Sequence, residues 1–548
     1  MKTLRRFLPA FLVAGFAMAM SSLAPHPRTA EAGGPPIPPE ISKTKAQAST
    51  FVIGKNYTVV ESDTDLSRIG DGVTPGGRYY GLTPKRMLLD RLRRAASRAA
   101  NNNVIDNLPM TSPPTVTSAS GDSQTNSYYL ANGGVLQNQD KIIVVGGVVF
   151  ANTSGALAGN YINVKSVSTT SGSNVGGVVG NQNGWYIETM TDSPNISFGY
   201  FRTAEGGVMV AVSENGGPMQ YVSTTPTTMY NNGNPCGSNP GSVTVAFGSS
   251  KVRRVRLELG NQQTDETCGG AGGVAFLRRI AVDPSYTIWK PKDTDVINAA
   301  FVGDSYTAGS PRDTGMQSVN WARTVAAKLG WRPTCMALGS TGYSKASGAL
   351  PPASDPVRIA DLSAQAYDVY VFALGTNDVN GNDNTATALP DLQAKALTCF
   401  QAARAANPIA PIIVVSPWPR TTFPLQTQAD LAAAVQAAFN QFADSNSLYI
   451  PIYDDPSGNW MTGTSYQGQL NNSNDISFRY IWTDRIHPVK TGHYYYGDRI
   501  AQAIRDWLMA TSVTIRMPAR RPDEGLVFRM PERPVAPPPY RYRLDKAA

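Results

Sequence analysis

The amino-acid sequence predicts two folded parts: an all-β sandwich or jelly roll, and after it an α/β domain with a doubly wound parallel sheet. Residues 111–292 are rich in Gly, Ser, Thr, Asn and Val, and short β-prone runs recur there without helical periodicity. Residues 293–512 instead alternate apolar strand candidates with amphipathic helical stretches, as βαβ units do. At 41% hydrophobic and 16% charged residues, the chain is too apolar to be wholly disordered.

Seven β-prone runs separated by turn-forming clusters predict the sandwich. They are Lys141–Phe150, Tyr161–Val167, Gly184–Thr191, Val208–Val212, Ser242–Phe247, Val252–Leu259 and Val274–Val282. Three aromatic residues of this part, Trp185, Tyr186 and Tyr230, would be able to stack on sugar rings if they are exposed. Packing in the core is an equally good interpretation of each, so they are weak markers of sugar binding.

Five apolar strands and four helices are predicted in the α/β part. The strands are Ile297–Val302, Thr334–Leu338, Tyr367–Leu374, Pro411–Val415 and Leu448–Ile452, and the helices are Val319–Leu329, Leu389–Ala406, Gln428–Phe442 and Thr491–Leu508. Gly330 directly follows the first helix, where a residue in the left-handed conformation commonly ends a helix.

The N-terminus has the features of a secretory signal peptide over residues 1–32. Three basic residues within the first six positions precede the apolar stretch Phe7–Met20, which is shorter than the roughly 20 residues of a spanning helix, and a small-residue cleavage signal ends at Ala32. An uncleaved N-terminal anchor is the alternative. No later segment has 18 consecutive apolar residues. We therefore expect a secreted or periplasmic protein with no stable membrane span.

Two further segments flank the predicted domains. Residues 33–110 are interpreted as a linker and a mixed N-terminal segment, and residues 513–548 as a tail rich in Pro and Arg. Pro84–Ala100 places apolar residues at helical spacing with basic residues between them. This pattern predicts a surface helix on its own domain, and a helix lying on a membrane is the alternative.

The net charge of +8 sits mostly at the two ends of the chain. Residues 1–32 contribute +3 and residues 516–548 contribute +4, which leaves +1 for the 483 residues between them. A nearly neutral body lacks the basic surface of a nucleic-acid-binding domain, so we expect no nucleic-acid partner.

Four cysteines in an exported chain raise the question of disulfides. Pairing within each segment is favoured, Cys236 with Cys268 and Cys335 with Cys399, and buried free thiols are the alternative for the second pair. The cysteine spacings do not match a zinc site, and no metal-binding cluster is visible in the sequence.

Polar residues suited to nucleophilic catalysis follow the predicted strands of the α/β part. Ser305 comes directly after the first strand and Asn377 after the third, while Asp484 and His487 precede the last helix. Since the carboxyl ends of parallel strands meet at one edge of a sheet, these residues can gather there. A serine, a histidine and an aspartate would then supply a nucleophile, a base and a group that orients the base.

These motifs, in this order, resemble the SGNH hydrolases, also called GDSL esterases/lipases. The matching blocks are Gly303-Asp304-Ser305, Gly375-Thr376-Asn377-Asp378 and Asp484-Arg485-Ile486-His487. A further block is best matched to residues 337–342, where Ala337 stands at a position that is often Asn in the family. The resemblance covers about residues 296–510 and implies an SGNH-hydrolase-like sheet.

The resemblance also implies a role for each matched residue. Ser305 would be the nucleophile, His487 the general base and acid, and Asp484 the group that orients His487. The oxyanion hole would consist of the Ser305 N–H, the Gly342 N–H and the Asn377 amide, with Gly339 the alternative to Gly342. Asp304 and Asp378 are expected to brace loops and His493 to be structural. No cofactor is implied.

A β-sandwich followed directly by such a domain resembles carbohydrate esterase family 2. This likeness implies a secreted serine esterase that removes O-acetyl groups from an extracellular polysaccharide. The alternatives are a lipase or short-chain carboxylesterase, and a glycan-binding surface protein with a residual hydrolase. The sequence leaves open the glycan, the acyl group, the oligomeric state and the roles of residues 51–110 and of the tail.

Overall fold

The structure is a computed structural model of the 548-residue chain. It describes residues 83–510, with gaps at 100–109, 121–123, 147, 152–160, 166–184, 203–205, 215, 217–218, 224–226, 231–238, 262–274, 294–295, 310–319, 349, 365, 380–384, 421–424, 454, 456–459 and 462. The predicted signal peptide, the predicted tail and the predicted Cys236–Cys268 disulfide lie outside the described residues.

A helix and sixteen β-strands precede the α/β part among the described residues. They are α1 (Pro84–Ala99), β1 (Thr115–Ala119), β2 (Asn126–Tyr129), β3 (Ala131–Asn132), β4 (Val135–Leu136), β5 (Ile143–Val145), β6 (Val148–Ala151), β7 (Ile162–Lys165), β8 (Trp185–Thr191), β9 (Asn195–Arg202), β10 (Gly206–Glu214), β11 (Gln220–Tyr221), β12 (Thr227–Thr228), β13 (Asn239–Ala246), β14 (Arg253–Asn261), β15 (Ala275–Val282) and β16 (Ile288–Trp289). Each of the seven predicted β-prone runs contains an observed strand, but the run Lys141–Phe150 is divided into β5 and β6, which belong to different sheets.

The strands form two antiparallel sheets. The first sheet has the order β1-β13-β9-β15-β7-β6, with β2 also on β15, and the second has the order β11-β10-β14-β8-β16, with β12 on β10 and β5 on β8. Alternate side chains of both sheets, such as Phe198 of the first and Ile187 of the second, lie in one buried cluster. Two sheets that share one core confirm the predicted sandwich.

Of the aromatic residues that were weak markers of sugar binding, Trp185 and Tyr186 are buried and Tyr230 is half-buried. Trp185 is 4% exposed and Tyr186 is 7% exposed, and Tyr230 packs against the sandwich core. Core packing, the alternative interpretation, therefore holds for Trp185 and Tyr230. Tyr186 lies on the opposite face of β8, packed with Ile143 and Val145.

The α/β part is built from five strands and seven helices among the described residues. They are β17 (Ile297–Gly303), α2 (Ser305–Ala308), α3 (Trp321–Leu329), β18 (Trp331–Ala337), α4 (Pro356–Asp361), β19 (Val369–Ala373), α5 (Thr385–Ala406), β20 (Ile412–Val415), α6 (Leu425–Phe442), β21 (Ser447–Ile450), α7 (Ser477–Tyr480) and α8 (Lys490–Ala510). Gly330 ends α3 in the left-handed conformation, at φ 69°.

All five strands are parallel, in the order β18-β17-β19-β20-β21. Side chains of α1, α3 and α8 pack on one face of this sheet, and side chains of α5 and α6 pack on the other. Helices on both faces of a parallel sheet confirm the predicted doubly wound fold. No helix among the described residues is long and apolar enough to cross a membrane.

Helix α1 packs in the core of the α/β part, which differs from the predicted surface helix on its own domain. Leu88, Leu92 and Ala96 lie in the same buried cluster as side chains of α3 and α8. The interleaved arginines also find partners there: Arg91 donates to the Val296 carbonyl at 2.8 Å, and Arg93 donates to the Leu508 carbonyl at 2.6 Å. An amphipathic pattern shows that one face is buried, but it does not show which neighbour buries it.

Leu92→Ala is expected to lower the free energy of unfolding by about 2–5 kcal/mol, because it removes a fully buried side chain from this contact. Chemical denaturation measures the change. Leu470→Ala is the matched control, since Leu470 is 53% exposed. Equal effects of the two substitutions would contradict the packing of α1 on α3 and α8.

Cys335 and Cys399 are free, buried thiols, so their predicted pairing is wrong and the alternative is confirmed. Cys335 lies on the face of the parallel sheet that is covered by α1, α3 and α8. Cys399 belongs to α5, on the opposite face. The sheet itself therefore lies between the two sulfur atoms.

The outer face of the second sandwich sheet packs against the α/β part. The Cys335 N–H donates to the Gly146 carbonyl at 3.4 Å, and the Arg323 guanidinium lies 5.6 Å from the Tyr186 ring. An ionic network also links the two parts. Arg254 of the sandwich binds both Glu188 and Asp293, and Asp293 also binds Arg332 of β18. The sandwich therefore adjoins the edge of the parallel sheet formed by β18.

Candidate active site

Ser305 is the first residue of a one-turn helix that begins where β17 ends. Asp304 caps this helix, because its carboxylate accepts the Tyr306 N–H at 3.0 Å. Gly303 packs so closely on Thr307 that a Cβ there would lie 1.9 Å from the Thr307 hydroxyl oxygen. The Gly-Asp-Ser sequence is thus explained locally: the glycine admits the turn, the aspartate caps it, and the serine is presented at the strand end.

His487 joins Ser305 to Asp484 through its two ring nitrogens. Its Nε2 lies 2.8 Å from the Ser305 Oγ, and its Nδ1 lies 2.6 Å from the Asp484 Oδ2. The other oxygen of Asp484 accepts the backbone N–H groups of Ile486 and His487, each at 3.0 Å. The structure therefore brings together the three residues that the sequence predicts as a triad.

The charge of Asp484 suits it to orient His487. Burial alone would raise the pKa of Asp484, but the hydrogen bond and charge of His487 outweigh burial and lower this pKa below its usual value. The carboxylate of Asp484 is therefore ionised at neutral pH and accepts a hydrogen bond from the Nδ1–H of His487. That tautomer leaves Nε2 as an acceptor for the Ser305 hydroxyl.

Two aromatic side chains that the sequence analysis missed, Tyr306 and Trp418, pack beside His487 and support its contact with Ser305. Tyr306 stacks on Trp418 with the ring centroids 5.2 Å apart, and its ring centroid lies 5.5 Å from that of His487. The Tyr306 hydroxyl donates to the Ile486 carbonyl, within the turn that carries His487. Tyr306 follows the nucleophile directly, so it fixes the serine helix and the histidine turn against each other.

Asn377 lies between two partners that fix the orientation of its amide. Arg420 donates to the Asn377 Oδ1, and a guanidinium has only donors, so the opposite atom of the amide must be the nitrogen. That Nδ2 donates to the Thr341 carbonyl at 3.0 Å and lies 3.4 Å from the Asp304 carboxylate. The donor side of Asn377 is therefore turned toward the loop that begins α2.

Asp378 braces the loop that contains Gly342, as predicted. Its carboxylate accepts the N–H groups of Tyr343, Ser344 and Lys345 at 2.7–3.0 Å. A Cβ on Gly342 would lie 2.1 Å from this carboxylate, so only glycine fits. The Gly342 N–H donates to the Lys345 carbonyl at 2.9 Å. Its predicted place in the oxyanion hole stays a prediction, with Gly339 the alternative.

Arg358 is a buried cation, 3% exposed, that links several parts of the site. It donates to the Thr341 hydroxyl at 3.0 Å, to the Met336 carbonyl at 3.1 Å and to the Gly303 carbonyl at 3.3 Å. Burial lowers the pKa of Arg358 to about 10, so it is still charged at neutral pH. Arg358 therefore ties the ends of β17 and β18 to the loop beside Asn377.

Arg358→Met is expected to lower kcat on a small ester by about 10- to 100-fold, because small shifts of catalytic groups are costly. Arg404→Met is the comparison variant: Arg404 likewise binds backbone carbonyls, three of them at 2.7–3.2 Å, but it also pairs with Asp444 and it binds the loop after α5. Both variants should lose stability. If kcat falls equally in both, or in neither, Arg358 does not position the site.

His493 is fully buried on α8, where its Nδ1 accepts the Trp321 N–H at 3.3 Å. Burial lowers the pKa of His493 to about 3. The predicted structural role is confirmed, because this imidazole caps the start of α3 and is separate from the Ser305–His487 pair.

A pH dependence of stability follows from this low pKa. As the pH falls from about 6.5 to about 3, the unfolded chain protonates His493 while the folded protein does not, so this residue removes stability over that window. His493→Gln should therefore show a flatter fall in the free energy of unfolding between pH 6.5 and 4 than the wild type. Parallel curves for the two proteins would contradict the assignment.

No group of three or more His, Cys, Asp or Glu side chains that would suit a metal ion occurs in the described part of the chain. The fold and the site geometry define a Ser-His-Asp arrangement at the carboxyl edge of a doubly wound parallel sheet. Residues 301–494 match the GDSL-like Lipase/Acylhydrolase family, which confirms the resemblance found in the sequence. The chain therefore carries a GDSL-like domain, and its chemistry belongs among the esterases and acyl hydrolases.

One curated relative and several solved structures are similar to the chain. The GDSL lipase Rv0518 of Mycobacterium tuberculosis is 28% identical over 212 residues, which are 37% of this chain and 80% of that protein. The salicylyl-acyltransferase SsfX3 from a tetracycline biosynthetic pathway has a TM-score of 0.47 at 14% identity, over 71% of this chain and 99% of that one. A family two carbohydrate esterase from Clostridium thermocellum has a TM-score of 0.44 at 15% identity, over 67% and 99%.

Proposed function

We propose that the protein is an exported serine esterase that removes O-acetyl groups from an extracellular polysaccharide. The observation that carries the proposal is the continuous chain of short contacts from Asp484 through His487 to Ser305, at 2.6 and 2.8 Å. The GDSL-like domain over residues 301–494 supports ester hydrolysis as the reaction.

The first half of the reaction transfers the acyl group to the enzyme. His487 Nε2 accepts the hydroxyl proton of Ser305 while Oγ attacks the ester carbonyl, and Asp484 stabilises the resulting imidazolium. The tetrahedral intermediate carries its negative charge on the former carbonyl oxygen. His487 then gives its proton to the departing sugar oxygen, which leaves an acetyl group on Ser305.

The second half returns the enzyme to its starting state. Water takes the place of the sugar, His487 accepts a proton from it, and the hydroxide attacks the acetyl-serine carbonyl. Collapse of the intermediate releases acetic acid and restores the Ser305 hydroxyl. In both halves the Ser305 N–H and the Asn377 Nδ2 are the proposed oxyanion donors, and each such donor typically supplies about 3–4 kcal/mol. The Gly342 N–H would join them only after leaving the Lys345 carbonyl, to which it donates at 2.9 Å.

Two features of the chain support a polysaccharide as the substrate. The N-terminal sequence predicts export, and a β-sandwich precedes the hydrolase and packs on it. A lipase or short-chain carboxylesterase is the second candidate, because the 28% identical relative is named a GDSL lipase.

Release of acetate from a panel of acetylated polysaccharides tests the proposal. The wild type should release acetate from at least one of them, and Ser305→Ala should release none. A parallel series of p-nitrophenyl esters from acetate to palmitate separates the candidates. Higher kcat/KM on the long acyl chains than on acetate, with no release from any polysaccharide, would replace the acetylesterase proposal with the lipase.

A further inference from the structure

The α/β part packs on one portion of the outer face of the second sandwich sheet, and another portion of the same face lines a cavity. Tyr186 and Glu188 of β8 lie at the contact with the α/β part, and Met190 lies two residues further along the same face. There the side chains of β8, β10, β14 and β16 line a cavity of about 520 Å³. This volume is in the range of pockets that hold small ligands, about 300–1,000 Å³.

The floor of the cavity is a row of side chains that crosses four strands. Trp289 of β16 is paired with Met190 of β8, Met190 with Arg254 of β14, and Arg254 with Ser213 of β10. Directly paired residues point to the same face of a sheet, so these four side chains are neighbours. Trp289 is only partly buried. The cavity therefore contains a large aromatic side chain that the sandwich core does not enclose.

The rim of the cavity carries positive charge that the described carboxylates do not balance. Arg254 is matched by Glu188 and Asp293. Lys290 and Lys292 also line the cavity and are exposed, and neither forms an ion pair with a carboxylate among the residues that the structure describes. Lys290 donates to the Gln139 carbonyl at 3.4 Å, which leaves its charge in place.

We propose that this cavity binds a uronic-acid unit of an acidic polysaccharide. Trp289 and Met190 offer the apolar surface on which the face of a sugar ring packs, and Lys290 and Lys292 attract its carboxylate. Exposed charges act over about 8–10 Å at physiological ionic strength, so both lysines reach a ligand seated on the tryptophan. The inference deepens the proposed function, because it rests on a polysaccharide substrate and names its acidic character.

Binding is tested without turnover, in protein that carries Ser305→Ala. Calorimetric titration with polygalacturonate, and with dextran as the uncharged polymer, gives the affinities. We expect binding of polygalacturonate only, weakened as salt is raised, and a loss of about tenfold on adding Trp289→Ala, the size typical of an anchoring aromatic contact. Lys292→Glu alters an exposed residue and should weaken binding to a similar extent.

Two control substitutions match these variants in chemistry but lie elsewhere. Lys395→Glu makes the same charge change on the exposed side of α5, and Tyr129→Ala removes an aromatic side chain that is 39% exposed on β2. Both should leave the affinity within twofold. Equal losses in the control and cavity variants, equal binding of dextran, or unchanged affinity in Trp289→Ala would overturn the inference.

Turnover of p-nitrophenyl acetate keeps this inference separate from the proposed function. With Ser305 intact, Trp289→Ala should hydrolyse this small ester at the wild-type rate, because Trp289 lies on the sandwich. If the wild type lacks esterase activity but binds polygalacturonate through Trp289, the proposed function fails and the binding site stands. If the wild type releases acetate but binds no polygalacturonate, the proposed function stands and the binding site fails.

Discussion

Ser305→Ala is expected to lower kcat on a small acetate ester by about 10⁴-fold or more, because the proposed mechanism forms the acyl-enzyme on the Ser305 Oγ. The Ser305 Oγ lies 2.8 Å from His487 Nε2 at the end of β17, and its removal leaves a methyl group in the same place. The melting temperature should stay close to that of the wild type, since the change is small. Steady-state hydrolysis of p-nitrophenyl acetate and thermal unfolding measure the two effects.

Ser363→Ala is the matched control for this substitution. Ser363 is exposed after α4 and its hydroxyl donates to the Ala360 carbonyl, at 3.0 Å. It should keep wild-type turnover. Near-wild-type turnover of Ser305→Ala would show that another residue is the nucleophile, and the proposed mechanism would be abandoned.

The residues of the proposed triad were predictable because short-range geometry dictates their sequence. Gly303, Asp304 and Ser305 are respectively the tight turn, the cap and the first residue of α2. Asp484 likewise binds the backbone N–H groups two and three residues further on, so its spacing to His487 is set by one turn of chain. Such local constraints leave a motif in the sequence.

The residues that support the proposed triad leave no such motif. Arg358 reaches the Gly303 carbonyl across 55 residues, Arg420 reaches Asn377 across 43, and Tyr306 reaches the Ile486 carbonyl across 180. Each of these side chains binds a backbone carbonyl or an amide. Such a partner leaves no pattern in the sequence from which the supporting residue could be recognised. Their roles depend on how the parallel strands are ordered, and the order becomes visible only in the folded sheet.

The same distinction explains which parts of the fold were predictable. The apolar runs predict the cores of the five parallel strands, but β18 begins at Trp331, three residues before the predicted start at Thr334. Pro333 lies inside this strand, and a proline is tolerated there because β18 is at the edge of the sheet. The position of α1 could not be predicted for a related reason, since its partners Trp321 and Ile504 are more than 200 residues away in sequence.

Asp484→Asn is expected to lower kcat by about 10³- to 10⁴-fold with little change in structure. The amide can still accept the two backbone N–H groups that now bind the carboxylate at 3.0 Å, so the turn persists. Beside Nδ1, however, the amide NH₂ would favour the tautomer that carries its proton on Nε2. That proton would face the Ser305 hydroxyl, and His487 could no longer accept the serine proton.

Asp475→Asn separates this effect from the loss of an ordinary loop carboxylate. Asp475 also accepts two backbone N–H groups, those of Thr464 and Ser465 at 3.0 and 3.2 Å, but it forms no hydrogen bond with either described histidine. Steady-state kinetics on p-nitrophenyl acetate should give kcat within a few-fold of the wild type for Asp475→Asn. If Asp484→Asn behaved the same way, Asp484 would only brace its turn. The proposed triad would then reduce to a Ser305–His487 pair. In that pair, packing against Tyr306 would orient the histidine, and the charge of Asp484 would not.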